Sequence, residues 1–207
     1  MLDIAFTVWS TPVTWLEVAA FVLAIACIVC NVRELHWGWP LAVVSSLLYA
    51  WLFYASKLYG EGTLQIFFAL TGLWGWWQWL FGTREAKPLH IARFSVHHWR
   101  LTFAAWLALW WLLGTLLQRY TDSPVPWLDA FPTAGSVIAT VVLARKFIEN
   151  WPLWVAINVA SVLLFGFKQL YLTVVLYLIF IALALWGWGA WRRRLQADDA
   201  RVSPAPR

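Results

Sequence analysis

Asn150-Trp151-Pro152-Leu153-Trp154-Val155-Ala156-Ile157-Asn158 opens an apolar helix and carries two tryptophans and one amide on a single stripe. Pro152 suits the first helical position, where its missing N–H has no intrahelical partner to lose, and this places Asn150 or Trp151 at the cap. At about 100° per residue, Trp151, Trp154 and Asn158 fall within roughly 60° of one another. An amide on a lipid-immersed helix is costly unless it faces protein or water, and flat indoles beside it form a surface for a flat polar ligand. The stripe is therefore a candidate binding wall. Plainer roles compete with it. Tryptophan is enriched at membrane interfaces and the chain holds 19, so Trp151 at the helix mouth also fits an interfacial anchor. Asn158 also fits a hydrogen-bonded contact between helices.

The rest of the chain places this helix in a membrane. Of 207 residues, 62% are hydrophobic and only 12% charged, and the apolar runs are too long for buried strands. A span needs about 20 apolar residues. On that scale there are seven candidates, at residues 13–32, 37–56, 61–81, 99–118, 129–147, 151–169 and 171–191. Met1 to Ser10 lack a basic region, so the first span is expected to double as the targeting signal. The net charge of +5 does not point to nucleic acid, because the basic residues sit at span ends, where they report topology. With seven spans, one face holds three of them, Lys57, Arg119 and Lys168. The opposite face holds the other twelve, including Arg33, Arg84, Lys87, Arg93, Arg100, Arg145, Lys146, Arg192-Arg193-Arg194, Arg201 and Arg207. The amino terminus is thus expected outside and the carboxyl terminus inside.

Sliding the chain against itself exposes a duplication. At a shift of 112 residues Trp39-Pro40-Leu41 meets Trp151-Pro152-Leu153, Arg33 meets Arg145, Tyr59 meets Tyr171 and Leu64 meets Leu176. Trp74-Gly75-Trp76 meets Trp186-Gly187-Trp188, and Trp79 meets Trp191, all without a gap. Spans 1 to 3 and 5 to 7 read as copies of one three-helix unit, joined by span 4. The expected fold is an all-α polytopic membrane protein of seven transmembrane helices, with two parallel three-helix repeats and a linker helix. This is the 3+1+3 plan of the SWEET transporters, which bind substrate between repeats. It makes one transmembrane domain, with repeats at 13–82 and 125–191, the linker helix at 99–118 and a polar, disordered tail at 192–207.

Polar mismatches between the copies are where a shared scaffold becomes a specific site. Ser46 lies opposite Asn158, Ala42 opposite Trp154, and Gln65 opposite Tyr177. Gln65 and Tyr177 fall a turn or two from the outer face, and Asn158 about 10 Å from the inner one at 1.5 Å per residue. They bracket the midplane. Gln65 also fits a hydrogen bond to a neighbouring helix.

These residues carry a family resemblance. The chain resembles the Pnu-type vitamin transporters, and within them the nicotinamide riboside branch, over nearly all of Trp15 to Trp191. The motifs are Trp151-x-x-Trp154-x-x-x-Asn158, Leu64-Gln65-x-x-Phe68 running to Gly75-Trp76-x-x-Trp79, and Phe167-Lys168-x-Leu170-Tyr171-Leu172-Thr173 followed by Leu176-Tyr177. The resemblance implies a SWEET-like fold, a homotrimer and uptake across the bacterial inner membrane. It also implies facilitated diffusion made one-way when a cytoplasmic kinase phosphorylates the riboside, feeding NAD synthesis. A thiamine-type relative is expected to carry Glu or Gln four residues before the first tryptophan of the pair; Phe147 stands there. The expected substrate-binding set is Gln65, Trp151, Trp154, Asn158, Tyr177 and Ser46. Nicotinamide riboside is a flat cation with a carboxamide and a ribose. Indoles and amides suit it, though thiamine is a flat cation too.

Other classes fare worse. No Gly-x-Ser-x-Gly, no His-Glu-x-x-His and no pair of deep titratable groups supports an enzyme, and no cofactor is implied. Each of the ten acids falls in a tail, a loop or the first turn or so of a span, so proton coupling has no stepping stone. Cys27 and Cys30 read as small packing residues, and no histidine spacing resembles a metal site. A purely structural subunit would leave Gln65 and Asn158 without a ligand.

Overall fold

The structure is a computed structural model and describes residues 4–8, 11–55, 59–82, 89–121, 123–167, 169 and 171–202. The described residues form seven helices: α1 (Trp15–Val32), α2 (Gly38–Ala55), α3 (Tyr59–Phe81), α4 (Val96–Tyr120), α5 (Pro126–Ala144), α6 (Asn150–Phe167) and α7 (Tyr171–Val202). Each matches one of the seven apolar runs. Among the described residues, Val96–Tyr120, Pro126–Ala144, Asn150–Phe167 and Thr173–Ala200 are long and apolar enough to cross a membrane. Lys57, Arg84, Lys87, Lys168, Leu170 and Arg207, used above for topology or motifs, lie outside the described residues.

Two features depart from the sequence reading. An antiparallel hairpin, β1 (Ile4–Val8) and β2 (Thr11–Thr14), precedes α1 where a plain tail was expected. Its composition, rich in Ile, Phe, Val and Thr, favours pleated backbone. Helix α7 also runs eleven residues past Trp191 instead of giving way to a tail. Arg192 to Ala200 is dominated by good helix formers, and Leu195 is buried.

The chain forms two compact units, Met1–Lys87 and Pro88–Arg207. In the first, α2 packs on both α1 and α3; in the second, α6 packs on both α5 and α7, and α4 lies on α5. The middle of each unit is entered through the same turn. Helix α1 ends with Leu35 N donating to Cys30 O (2.8 Å) and Glu34 N to Asn31 O (3.2 Å), with Glu34 at φ 57°. Helix α5 ends with Phe147 N donating to Val142 O (3.2 Å) and Lys146 N to Leu143 O (2.9 Å), with Lys146 at φ 53°. Both are Schellman closures with a left-handed non-glycine residue, and every atom pair is displaced by 112 residues.

A second matched pair joins helix to helix. The Trp39 ring stands edge-on to Trp79, at 5.7 Å and 79°, and the Trp151 ring edge-on to Trp191, at 5.5 Å and 87°. Each ring lies against a glycine. A Cβ on Gly187 would come within 2.5 Å of Trp151, and one on Gly75 would collide with Trp39. Aromatic pairs in this geometry contribute about 0.5–1.5 kcal/mol beyond their buried area.

The core of the second unit gathers on Trp106 of α4, with Ala134, Ala139 and Val142 of α5 and Leu153 and Ile157 of α6. Gly135 makes this possible, since a Cβ there would sit 2.5 Å from Trp106 and 2.7 Å from Ile157. The stretch before α4 is tied to the α5–α6 turn by Ala92 N to Lys146 O (3.0 Å) and Ile148 N to Ala92 O (2.9 Å). Phe94 meets Phe147 edge-on at 4.9 Å and His98 lies tilted against it at 5.0 Å, which ties the stretch before α4 to the entry of α6.

Candidate functional site

Helix α6 begins two residues earlier than Pro152 implied. Leu153 N already donates to Glu149 O (3.2 Å), so Glu149 is the cap, Asn150 the first helical residue and Pro152 the third. The expected cap on Asn150 or Trp151 is thereby corrected. Asn150 does not cap forward; its Nδ2 donates back to Phe147 O (2.7 Å) and its Oδ1 is buried without a partner. Pro152 still stands in the first turn, where a missing N–H costs nothing.

The stripe of α6 divides by burial. Trp151 is 3% exposed, fully engaged by Gly187 and Trp191, with its Nε1 buried and unbonded. Its indole is part of the α6–α7 contact. Trp154, one turn on, is half-buried and packs on the Trp106 cluster, leaving part of its ring open. Asn158 is 5% exposed and follows Trp154 one turn on along the same face. An amide both donates and accepts, so it suits the polar groups of a ligand.

Ser161 continues the stripe a turn beyond Asn158. It is buried and hydrogen-bonds the Tyr177 hydroxyl of α7. The Tyr177 ring is fixed on both sides, stacked on Phe165 at 5.2 Å and edge-on to Phe180 at 5.8 Å. The structure thus brings Tyr177 to the α6 stripe through Ser161. Ser161 is absent from the expected binding set, although its signal was present, as the i+3 neighbour of Asn158 on the same face. Gln65 of α3 and Ser46 of α2 belong to the first unit, where both are half-buried.

Chemically the α6–α7 stripe offers an aromatic face, a neutral amide and two linked hydroxyls, groups suited to holding a flat polar molecule. Among the described residues no three His, Cys, Asp or Glu side chains gather as a metal site. Cys27 and Cys30 are free thiols, half-buried in α1.

Apolar helices of spanning length around an uncharged polar wall define a multi-pass membrane transporter. Comparison with known proteins agrees: residues 14–193 match the nicotinamide mononucleotide transporter family, and the chain belongs to it. It is a transporter and not an enzyme. The riboflavin/roseoflavin transporter RibM of Streptomyces davaonensis is 27% identical over 201 residues, covering 96% of this chain and 94% of that protein. The nicotinamide riboside transporter PnuC of Escherichia coli (strain K12) is 25% identical over 218 residues, covering 91% and 90%. A crystal structure of the vitamin B3 transporter PnuC superposes with a TM-score of 0.70 at 22% identity, over 88% of this chain and 83% of that one. At that identity the likeness shows the fold.

Proposed function

We propose that the protein carries nicotinamide riboside across the bacterial inner membrane by facilitated diffusion, made one-way by a cytoplasmic riboside kinase and feeding NAD synthesis. The observation that carries this reading is the α6 stripe, on which half-buried Trp154 is followed by Asn158 and by the Ser161–Tyr177 pair. The indole suits the pyridinium face, with about 0.5–2 kcal/mol from cation–π attraction. The amides of Asn158 and Gln65 both donate and accept, as a carboxamide and ribose hydroxyls require. Ser46 and Tyr177 supply hydroxyls, and Trp151 holds the wall in place. Two parallel three-helix units, 13–82 and 125–191, around the linker helix 99–118 form one transmembrane domain. The paired turns and paired tryptophan contacts, each within its own unit and at a constant shift of 112, support the duplication. The amino terminus lies outside, the carboxyl terminus inside, and the working assembly is a homotrimer. Within the family, thiamine is the nearest alternative in chemistry, and Phe147 stands against it. Riboflavin is a second reading, favoured by the 27% identity to RibM.

Proteoliposomes test the mode of transport. With membrane voltage held at zero, since a permeant cation otherwise distributes by voltage alone, riboside uptake is expected to stop at equal concentrations under any proton or sodium gradient. Accumulation driven by either gradient would sink facilitated diffusion; accumulation only with an enclosed riboside kinase and ATP supports trapping.

Gln65 gives a second expected outcome. Gln65→Leu leaves a ligand polar group unpaired, at about 1–3 kcal/mol, or roughly 5- to 150-fold in riboside Kd. Unchanged affinity with a lowered Tm would make Gln65 a helix contact instead.

A further inference from the structure

The strap of residues 89–95 before α4 grips the α5–α6 turn at a single residue. Ala92 N donates to Lys146 O and Ala92 O accepts from Ile148 N, so the peptide groups on either side of Phe147 are both held by Ala92. The Phe147 ring is held as well, by Phe94 and His98, which stack on each other at 5.5 Å. His98 is fixed in turn, because its Nδ1 accepts from Ser95 N (3.2 Å) at the start of α4. Phe94, Phe147 and Trp154 all pack on the Trp106 cluster. The grip therefore sits on the core that supports the α6 stripe, at the amino-terminal end of that stripe.

What the strap holds is a strained conformation. Lys146 is left-handed, at φ 53°, a region that suits glycine better than a residue with a Cβ. Shortly after it, Glu149 Oε2, Asn150 Oδ1 and Trp151 Nε1 are buried with no hydrogen bond among the described residues. Asn150 has no exposed surface at all. Orphaned polar atoms on three consecutive residues raise the free energy of this arrangement, and each gains a partner if the first turn of α6 moves to where water reaches it. The first unit repeats the pattern. Glu34 is left-handed at φ 57°, and in the stretch that follows His36 Nδ1 and Trp39 Nε1 are buried without a hydrogen bond. A joint built only to lock helices together gains nothing from such atoms.

We propose that residues 89–95 are a latch on the inner end of α6. Latched, they close the floor beneath Trp154. Released, they let the first turn of α6 move away, hydrate its buried polar atoms and open the Trp154–Asn158 wall to the inside, on the orientation proposed above. Lys146 is placed to absorb the backbone change by leaving the left-handed region. The chain passes from the first unit to the second between Lys87 and Pro88, directly before the latch, so a movement of the first unit reaches Ala92 and Phe94 along the chain before it reaches α5 or α6. The inference rests on the transporter reading above and gives its path an inner gate.

A reversible cross-link tests it. Ala92→Cys and Phe147→Cys are combined in a chain that also carries Cys27→Ser and Cys30→Ser; bridged backbones lie about 4.8 Å apart, within the span of a disulfide. Diamide takes up the two protons and two electrons as the bond forms, and dithiothreitol reopens it. Relative to the same chain reduced, the closed bond is expected to lower nicotinamide riboside flux into proteoliposomes about tenfold or more, with its Kd changed by less than about threefold. Dithiothreitol should restore the flux. Unchanged flux with the bond closed would make the strap a permanent tie and overturn the proposal. Loss of binding together with flux would overturn it too, since the strap would then be part of the wall.

Hydrogen exchange tests the latch without a substrate. Phe94→Ala should speed exchange of the bonded amides of Phe147, Ile148, Asn150, Trp151 and Leu153 about tenfold and leave the middle of α5 unchanged. Equal acceleration along α5 and α6 would make Phe94 a packing residue and overturn the proposal. A wild type that neither binds nor carries the riboside would remove the vitamin reading, and the exchange result alone would then decide for or against the latch.

Discussion

Trp154→Ala and Asn158→Ala are each expected to weaken nicotinamide riboside binding by about 10- to 100-fold while the protein stays folded. The estimate for Trp154 combines a desolvated cation–π contact of about 2 kcal/mol with the loss of stacking area. For Asn158 it is the cost of leaving the ligand's polar group unpaired, about 1–3 kcal/mol. Neither change should unfold the chain. Trp154 is only half-buried, and Asn158→Ala trims one small side chain from the helix face. The Tm of each is expected to stay near that of the wild type. Calorimetric titration of the purified protein, paired with a melting curve, checks both statements. Binding within about twofold of wild type in either variant, under about 0.4 kcal/mol, means that the wall is elsewhere.

Trp151→Ala should act in the opposite way, lowering stability by about 3–5 kcal/mol through loss of a buried indole. Trp151 is enclosed by Gly187 and Trp191, and Trp191 has no exposed surface at all. The same loss is expected for Trp39→Ala in the first unit, where Trp79 and Gly75 play the corresponding parts. Gly187→Ala tests the contact from the other side. Its Cβ meets the indole at 2.5 Å, and overpacking of this kind costs about 1–3 kcal/mol. Thermal unfolding in one detergent ranks the three. If Trp151→Ala melts with the wild type but loses the riboside, Trp151 is a ligand contact and not a helix lock.

The two tryptophans of the motif thus have different fates, although their spacing treats them alike. Periodicity places Trp151 and Trp154 on one stripe, but it does not say which neighbour covers which ring. That depends on where a glycine of α7 comes to lie, and Gly187 lies under Trp151. The same holds for Ser161, whose role appears only when Tyr177 arrives from another helix. The hairpin was missed for a different reason. Its strands are short, and a run of β-formers before a long apolar span reads as part of the tail. The extension of α7 was missed because polarity was taken for disorder, whereas Arg, Leu, Gln and Ala favour helix whether or not lipid surrounds them.

By itself, the sequence determined the seven helices, because a membrane span demands a run of apolar residues long enough to be counted. It also determined the 112-residue register, because that register is a property of the letters alone. The tertiary structure decided how that register is used: Schellman turns ending at Glu34 and Lys146, and tryptophan rings seated on Gly75 and Gly187. It decided, too, that Trp151 is covered by α7 while Trp154 stays half-buried, and that Tyr177 comes to Ser161. Burial and hydrogen bonding are relations between residues far apart in the chain. No local pattern encodes them; they exist only once the helices have packed.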